Sequence, residues 1–114
     1  MLKEVSEFFY KSKAALLAAG FSKERIFVDP GVGFGKTSEG NWKLLKHCSG
    51  MTGEFNILFG VSRKSFLGNF FDIEKPSERD KVSKALEFGL FAAGASIVRT
   101  HDATALKRLV KICS

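Results

Sequence analysis

The chain has 114 residues, 45% of them hydrophobic and 26% charged, with a mean hydropathy of +0.01. That is the length of one small domain at most, and no apolar stretch approaches the ~20 residues that a membrane span requires. The net charge of +6 and the pI of about 9.5 suit an anionic partner. Lys3, Lys11, Lys13, Lys23, Lys36, Lys43 and Lys46 are nonetheless scattered rather than blocked. Neither nucleic acid nor a membrane surface is therefore expected; the charge suits a phosphorylated small molecule or is simply a solvated surface. Cys48 and Cys113 stand far apart without CxxC spacing, so neither a disulfide framework nor a zinc site follows, and a cytoplasmic location is expected.

In chain order, Leu2, Val5, Phe9, Ser12, Leu16 and Ala19 recur at spacings of three and four, which predicts an amphipathic helix ended by Gly20. Arg25-Ile26-Phe27-Val28-Asp29 is a short apolar run before Pro30-Gly31 and predicts a buried parallel strand. A glycine-rich loop from Gly31 to Thr37 follows, then a helix from about Glu39 to Met51 with Trp42, Leu45 and Cys48 on one face. Asn56–Val61 reads as a second strand. It runs through Ser62-Arg63-Lys64-Ser65 into a short apolar segment, Phe66 to Phe71.

Ser77 and Asp80 stand at capping-box spacing before the next helix, whose inner face is expected to carry Val82, Ala85, Leu86, Gly89 and Ala93. Ala95–Arg99 is a third strand. Thr100-His101-Asp102 lead into a last helix with Asp102 as its N-cap. The order α-β-α-β-α-α-β-α predicts an α/β fold with a parallel sheet covered on both faces. Three strands alone would leave both sheet edges open.

Each strand ends on chemistry-bearing residues: Asp29 after the first, Ser62, Arg63 and Lys64 after the second, Arg99 and His101 after the third. Parallel β/α folds bring such ends to one crevice, so these groups should share a site. Asp29 is either a turn-forming residue of its own loop or a carboxylate that accepts paired N–H donors from a heterocycle. The glycines at 31, 33 and 35 match neither a Walker A nor a dinucleotide motif. They allow close approach to a flat ligand on which Phe34 packs, or simply make a flexible loop. Arg63, Lys64 and the flanking serines follow a buried strand, where surface charge has little reason to appear. Arg99 and His101 offer a guanidinium fork and an imidazole to phosphate. His47, in mid-helix, is expected at the surface. No cluster has metal-ligand spacing, and no side chain is singled out as a covalent catalyst.

Asp29-Pro-Gly-Val-Gly-Phe-Gly-Lys-Thr37, Gly60-Val-Ser-Arg-Lys-Ser-Phe-Leu-Gly68 and Arg99-Thr-His-Asp102 resemble, in order, the three C-terminal signatures of the dihydropteroate synthase family. The SRKS segment is the specific part. Other pterin-binding barrels, including methyltetrahydrofolate methyltransferases, are not expected to combine it with RxHD. The resemblance implies a partial (β/α)8 TIM barrel, with residues 1–114 as its C-terminal part: strands six to eight and their flanking helices. It implies condensation of a dihydropterin methyl diphosphate with p-aminobenzoate in folate biosynthesis, with release of diphosphate, and sulfonamides as inhibitors.

By motif, Asp29 and Lys64 would bind the pterin. Arg99, the Thr100 backbone and His101 would hold the diphosphate, and Phe34, Arg63 and Ser65 would frame the p-aminobenzoate site. Thr100 stands where Val is usual. Mg²⁺ is implied by the family, with its ligands in the absent N-terminal part, so this chain alone is expected to be catalytically incomplete. The resemblance also implies a homodimer through the C-terminal helices. The alternative is a non-catalytic self-association module derived from the same barrel.

Overall fold

The computed structural model describes residues 1–112; the expectation made for Cys113 lies outside them. Among the described residues, five α-helices and three strands follow one another in chain order: α1 (Leu2–Ala18), β1 (Phe27–Val28), α2 (Ser38–Ser49), β2 (Asn56–Gly60), α3 (Ser65–Phe71), α4 (Asp80–Ala92), β3 (Ile97–Arg99) and α5 (Ala103–Ile112). The strands are parallel in the order β1-β2-β3. The register pairs Phe27 with Asn56, Val28 with Ile57, Leu58 with Ile97, Phe59 with Val98 and Gly60 with Arg99.

That register sorts the side chains by face, because paired residues in a parallel sheet point the same way and successive ones alternate. Val28, Ile57 and Phe59 lie in the core with Phe9, Leu44, Leu45, Cys48, Phe55, Val61, Phe66, Leu67 and Leu90. Full burial of each such side chain contributes roughly 1.5–3 kcal/mol. Phe27, Leu58, Ile97 and Arg99 share the other face. Phe27 is 44% exposed and Ile97 41%. The sheet is thus well covered on one side only, and the expected cover on both faces is not found. Both outer strands, β1 and β3, also have one unpaired edge.

The element order matches the sequence reading, with local corrections. The first strand is shorter than residues 25–29, because Lys23–Arg25 form a 3₁₀ turn before it. Asp102 caps α5 as expected, its Oδ1 accepting the Ala105 N–H at 3.1 Å. The capping box does not form: Ser77 lies in a 3₁₀ turn, Pro76–Arg79, and α4 starts at Asp80 without a side-chain cap. The Asp80 carboxylate is taken by Arg63 instead.

The buried residues of α4 are Ser83, Glu87 and Leu90, while Val82 and Leu86 are half-buried and Ala85, Gly89 and Ala93 are exposed. The inward face is turned by one residue, about 100°, because Ser83 and Glu87 find hydrogen-bond partners below the sheet's C-terminal rim. His47 is half-buried, its Nε2 lying 2.7 Å from the Ser6 hydroxyl, so it ties α2 to α1 and is not a surface residue. Cys48 is fully buried.

Candidate functional site

The loop from Gly31 to Thr37 is an ordered cradle. Asp29 Oδ1 accepts the Gly31 N–H at 2.8 Å, and the Phe34 N–H closes a turn on the Gly31 carbonyl at 3.1 Å. Lys36 Nζ donates to the carbonyls of Gly31 and Phe34 at 2.8 and 3.0 Å. The Gly33 N–H is received by the buried Asn41 side chain at 2.8 Å. Gly33 has φ +88, a conformation that costs other residues strain. A Cβ there would stand 2.8 Å from Lys64 Cδ. The glycine therefore clears a path for Lys64, whose ammonium donates to the Val32 carbonyl and stands 4.6 Å above the Phe34 ring.

The turn that delivers Lys64 is fixed from α4. Arg63 has φ 60, a left-handed conformation that persists only when its surroundings hold it. Its N–H donates to Ser83 Oγ at 3.0 Å, its carbonyl accepts from Arg79 Nη1 at 2.8 Å, and its guanidinium grips Asp80 at 2.8 and 3.1 Å. The Arg63 hydrogen bond holds the Asp80 carboxyl below its ordinary range, and Asp80 in turn raises Arg63. The Arg63 side chain is committed to α4, while its neighbours Ser62 and Lys64 face the sheet end.

At the end of β2 and β3, a cavity of about 360 Å³ is lined by Gly60, Ser62, Lys64, Arg99, Thr100 and His101. The Arg99 guanidinium lies across Gly60, 2.6 Å from where a Cβ would sit. His101 is anchored twice to the buried Ser62 hydroxyl, through its N–H at 3.1 Å and its Nδ1 at 2.8 Å. Burial, and next the Arg99 charge, push the Lys64 ammonium below the usual lysine range, against the pull of Asp29. Of the residues singled out, Lys64, Arg99, Thr100 and His101 line one cavity. Phe34 joins them through Lys64, and Asp29 acts on the same ammonium. Ser65 is exposed at the first turn of α3.

Beneath this rim lies a cluster that pattern reading missed. Thr100 Oγ1 sits 2.6 Å from Lys84 Nζ and 3.1 Å from Glu87 Oε1, and Lys84 pairs with Glu87 at 2.6 Å. Glu87 is fully buried, and the hydroxyl of Thr100, the residue that departs from the usual Val, belongs to this triad. The signal that could have revealed it is Ser83 and Glu87, polar and four apart in a largely apolar helix.

Residues 1–101 match the model of the pterin binding enzyme family. The chain belongs to that family. It is 36% identical over 113 residues to the dihydropteroate synthase of Synechocystis sp., covering 98% of this chain and 39% of the relative. It is 37% identical to that of Neisseria meningitidis serogroup B, covering 96% and 40%.

The Xanthomonas albilineans dihydropteroate synthase with 4-aminobenzoic acid superimposes with a TM-score of 0.89 at 32% identity, over 98% of this chain and 43% of that one. The Coxiella burnetii dihydropteroate synthase in complex with pteroic acid gives 0.87 at 34%, over 97% and 42%. The chain thus spans about two fifths of the length of these relatives, and its three-stranded sheet is part of a TIM barrel. The open face of the sheet is then the side that a barrel turns to its own interior.

Among the described residues no three His, Cys, Asp or Glu side chains gather as a metal site. The residues present do not by themselves fit the Mg²⁺ implied by the family. No described helix is long and apolar enough to cross a membrane.

Proposed function

We propose that the chain is the C-terminal part of a dihydropteroate synthase, and that it supplies the leaving-group side and part of the pterin side of that enzyme's site. The observation that carries this reading is the convergence of Lys64, Arg99 and His101 on one cavity at the C-terminal ends of neighbouring parallel strands. In the reaction the C–O bond from the pterin methylene to diphosphate breaks, and a C–N bond to the amine of p-aminobenzoate forms. Charge grows on the departing diphosphate, so cations already in place stabilise the transition state more than the ground state.

Arg99 meets that need with a fork held over Gly60, and His101 adds a second donor, with the Thr100 backbone between them. Asp29 and Lys64 hold the pterin ring: a carboxylate for its N–H edge and an ammonium fixed by the Val32 carbonyl. The carboxylate also tolerates the cationic methylene left when diphosphate departs. Phe34 and Ser65 frame the p-aminobenzoate side. Arg63 serves that side by shaping the turn that carries Lys64 and Ser65. A divalent cation held by ligands outside this chain would neutralise charge on the departing diphosphate. A cytoplasmic setting and sensitivity to sulfonamides go with this reading.

Alone, the chain makes no dihydropteroate. Fused to the N-terminal strands of a full-length relative, it forms product, and Arg99→Ala in that fusion lowers kcat/KM for the pterin diphosphate at least a hundredfold. Turnover by the pure chain would overturn the claim of an incomplete site, and a folded but inactive fusion would overturn the assignment. The open apolar face bearing Phe27 and Ile97 favours a second reading, a self-association module. Sedimentation as a dimer indifferent to pterin ligands, with the fusion inactive, would select it.

A further inference from the structure

We propose that Ser62 is a positioning residue that fixes His101 as its Nε2–H tautomer, so that the imidazole presents a hydrogen-bond donor to the cavity. A hydroxyl has one proton and two lone pairs. The Ser62 oxygen accepts the His101 backbone N–H at 3.1 Å and lies 2.8 Å from Nδ1 of the same residue. Ser62 is buried, and among the described residues its hydroxyl has no other hydrogen-bond partner.

If Nδ1 carried the proton, the oxygen would receive two donors and its own proton would have no acceptor among the described residues, an arrangement native structures avoid. With Nδ1 as acceptor every group is satisfied: backbone N–H to Oγ, O–H to Nδ1, and the ring proton on Nε2. Both bonds end on one oxygen, so the main chain and the ring of His101 are held together and the imidazole cannot turn over without breaking one of them.

The consequence for the site rests on the diphosphate reading above. Arg99 and Lys64 already bring two positive charges to this cavity. An imidazole with its proton on Nε2 adds a directed donor beside those cations.

Histidine occurs only at positions 47 and 101, so long-range proton–nitrogen NMR spectra of the ¹⁵N-labelled chain resolve the question without ligand. The spectra are recorded at mildly alkaline pH. The expected spectrum shows His101 with Nε2 protonated and Nδ1 bare. In Ser62→Ala the ratio of Nε2–H to Nδ1–H falls about fivefold, the scale of one hydrogen bond. Ser62→Thr keeps the hydroxyl and restores the single tautomer.

His47, bound to Ser6 in the α1–α2 packing, reports whether each variant remains folded. A protonated Nδ1 or a mixture in the unmodified chain would overturn the proposal. So would an unchanged His101 in Ser62→Ala beside an unchanged His47. Should Ser62→Ala disturb His47, the unmodified chain and Ser62→Thr decide. Because the tautomer is read ligand-free, failure of the assembled fusion to bind inorganic pyrophosphate would count against the diphosphate reading alone.

Discussion

Gly60 matters through what occupies the place of its missing side chain. The Arg99 guanidinium fills that space, so Gly60→Ala must push the cation off the sheet end although the backbone there needs no glycine conformation. In the assembled fusion, calorimetric titration with pyrophosphate should show Gly60→Ala losing about ten- to a hundredfold in affinity, the scale of one charge-assisted hydrogen bond, with little change in melting temperature. Asp80 makes a pH prediction. Its folded-state value lies below the ordinary 3.8 because Arg63 donates to it. Its stabilising effect is therefore complete above about 3.8 and is lost as pH falls through the lower folded value. Acid-unfolding curves of Asp80→Asn should lack this part of the slope. That Lys64, Arg99 and His101 would meet at one end of the sheet was legible in the sequence, because each closes or directly follows an apolar run, whereas Asp29 bonds the Gly31 N–H of its own loop. The Arg63–Asp80 pair was not legible, since a contact across 17 positions leaves no periodic trace.

At the level of elements, α4 decides how the third strand end is held. Half-buried Lys84 and Thr100 enclose the fully buried Glu87 carboxylate in a triad whose net contribution is small, because desolvation offsets attraction. Removing one member strands the others. Lys84→Met alone should destabilise the chain by roughly 3–5 kcal/mol in urea unfolding, whereas Lys84→Met with Glu87→Leu and Thr100→Val should come close to the parent. Comparable loss in the triple variant would show that the triad is not acting as a unit. The sequence made α4 visible as a helix but not its orientation. Val82, Leu86, Gly89 and Ala93 form a sound apolar stripe, and only knowledge of what Ser83 and Glu87 touch turns the helix by one residue. The same limit hid the anchoring of His47 by Ser6, 41 positions away.

Taken whole, the molecule is a slab of 44 × 33 × 19 Å with a radius of gyration of 14.7 Å, against about 13 Å for a compact domain of this size. The thin dimension is one sheet with its helix layer. The alternation of apolar strands and helices, together with the family motifs, made a piece of a parallel barrel legible in the sequence. The bare inner face was not, because continuous apolar strands read alike whether helices or other strands cover them. Supplying the missing barrel strands should raise the melting temperature, and Ile97→Lys on the open face should abolish that gain while leaving the chain's helicity unchanged in circular dichroism. Cys48 offers a clock for such assembly. Its sulfur is sealed in the core and burial pushes the thiol up to about 11, so an alkylating reagent at neutral pH labels it only in molecules whose α1–α2 layer has momentarily parted. The labelling half-time then counts openings, and each strand added to the barrel should lengthen it.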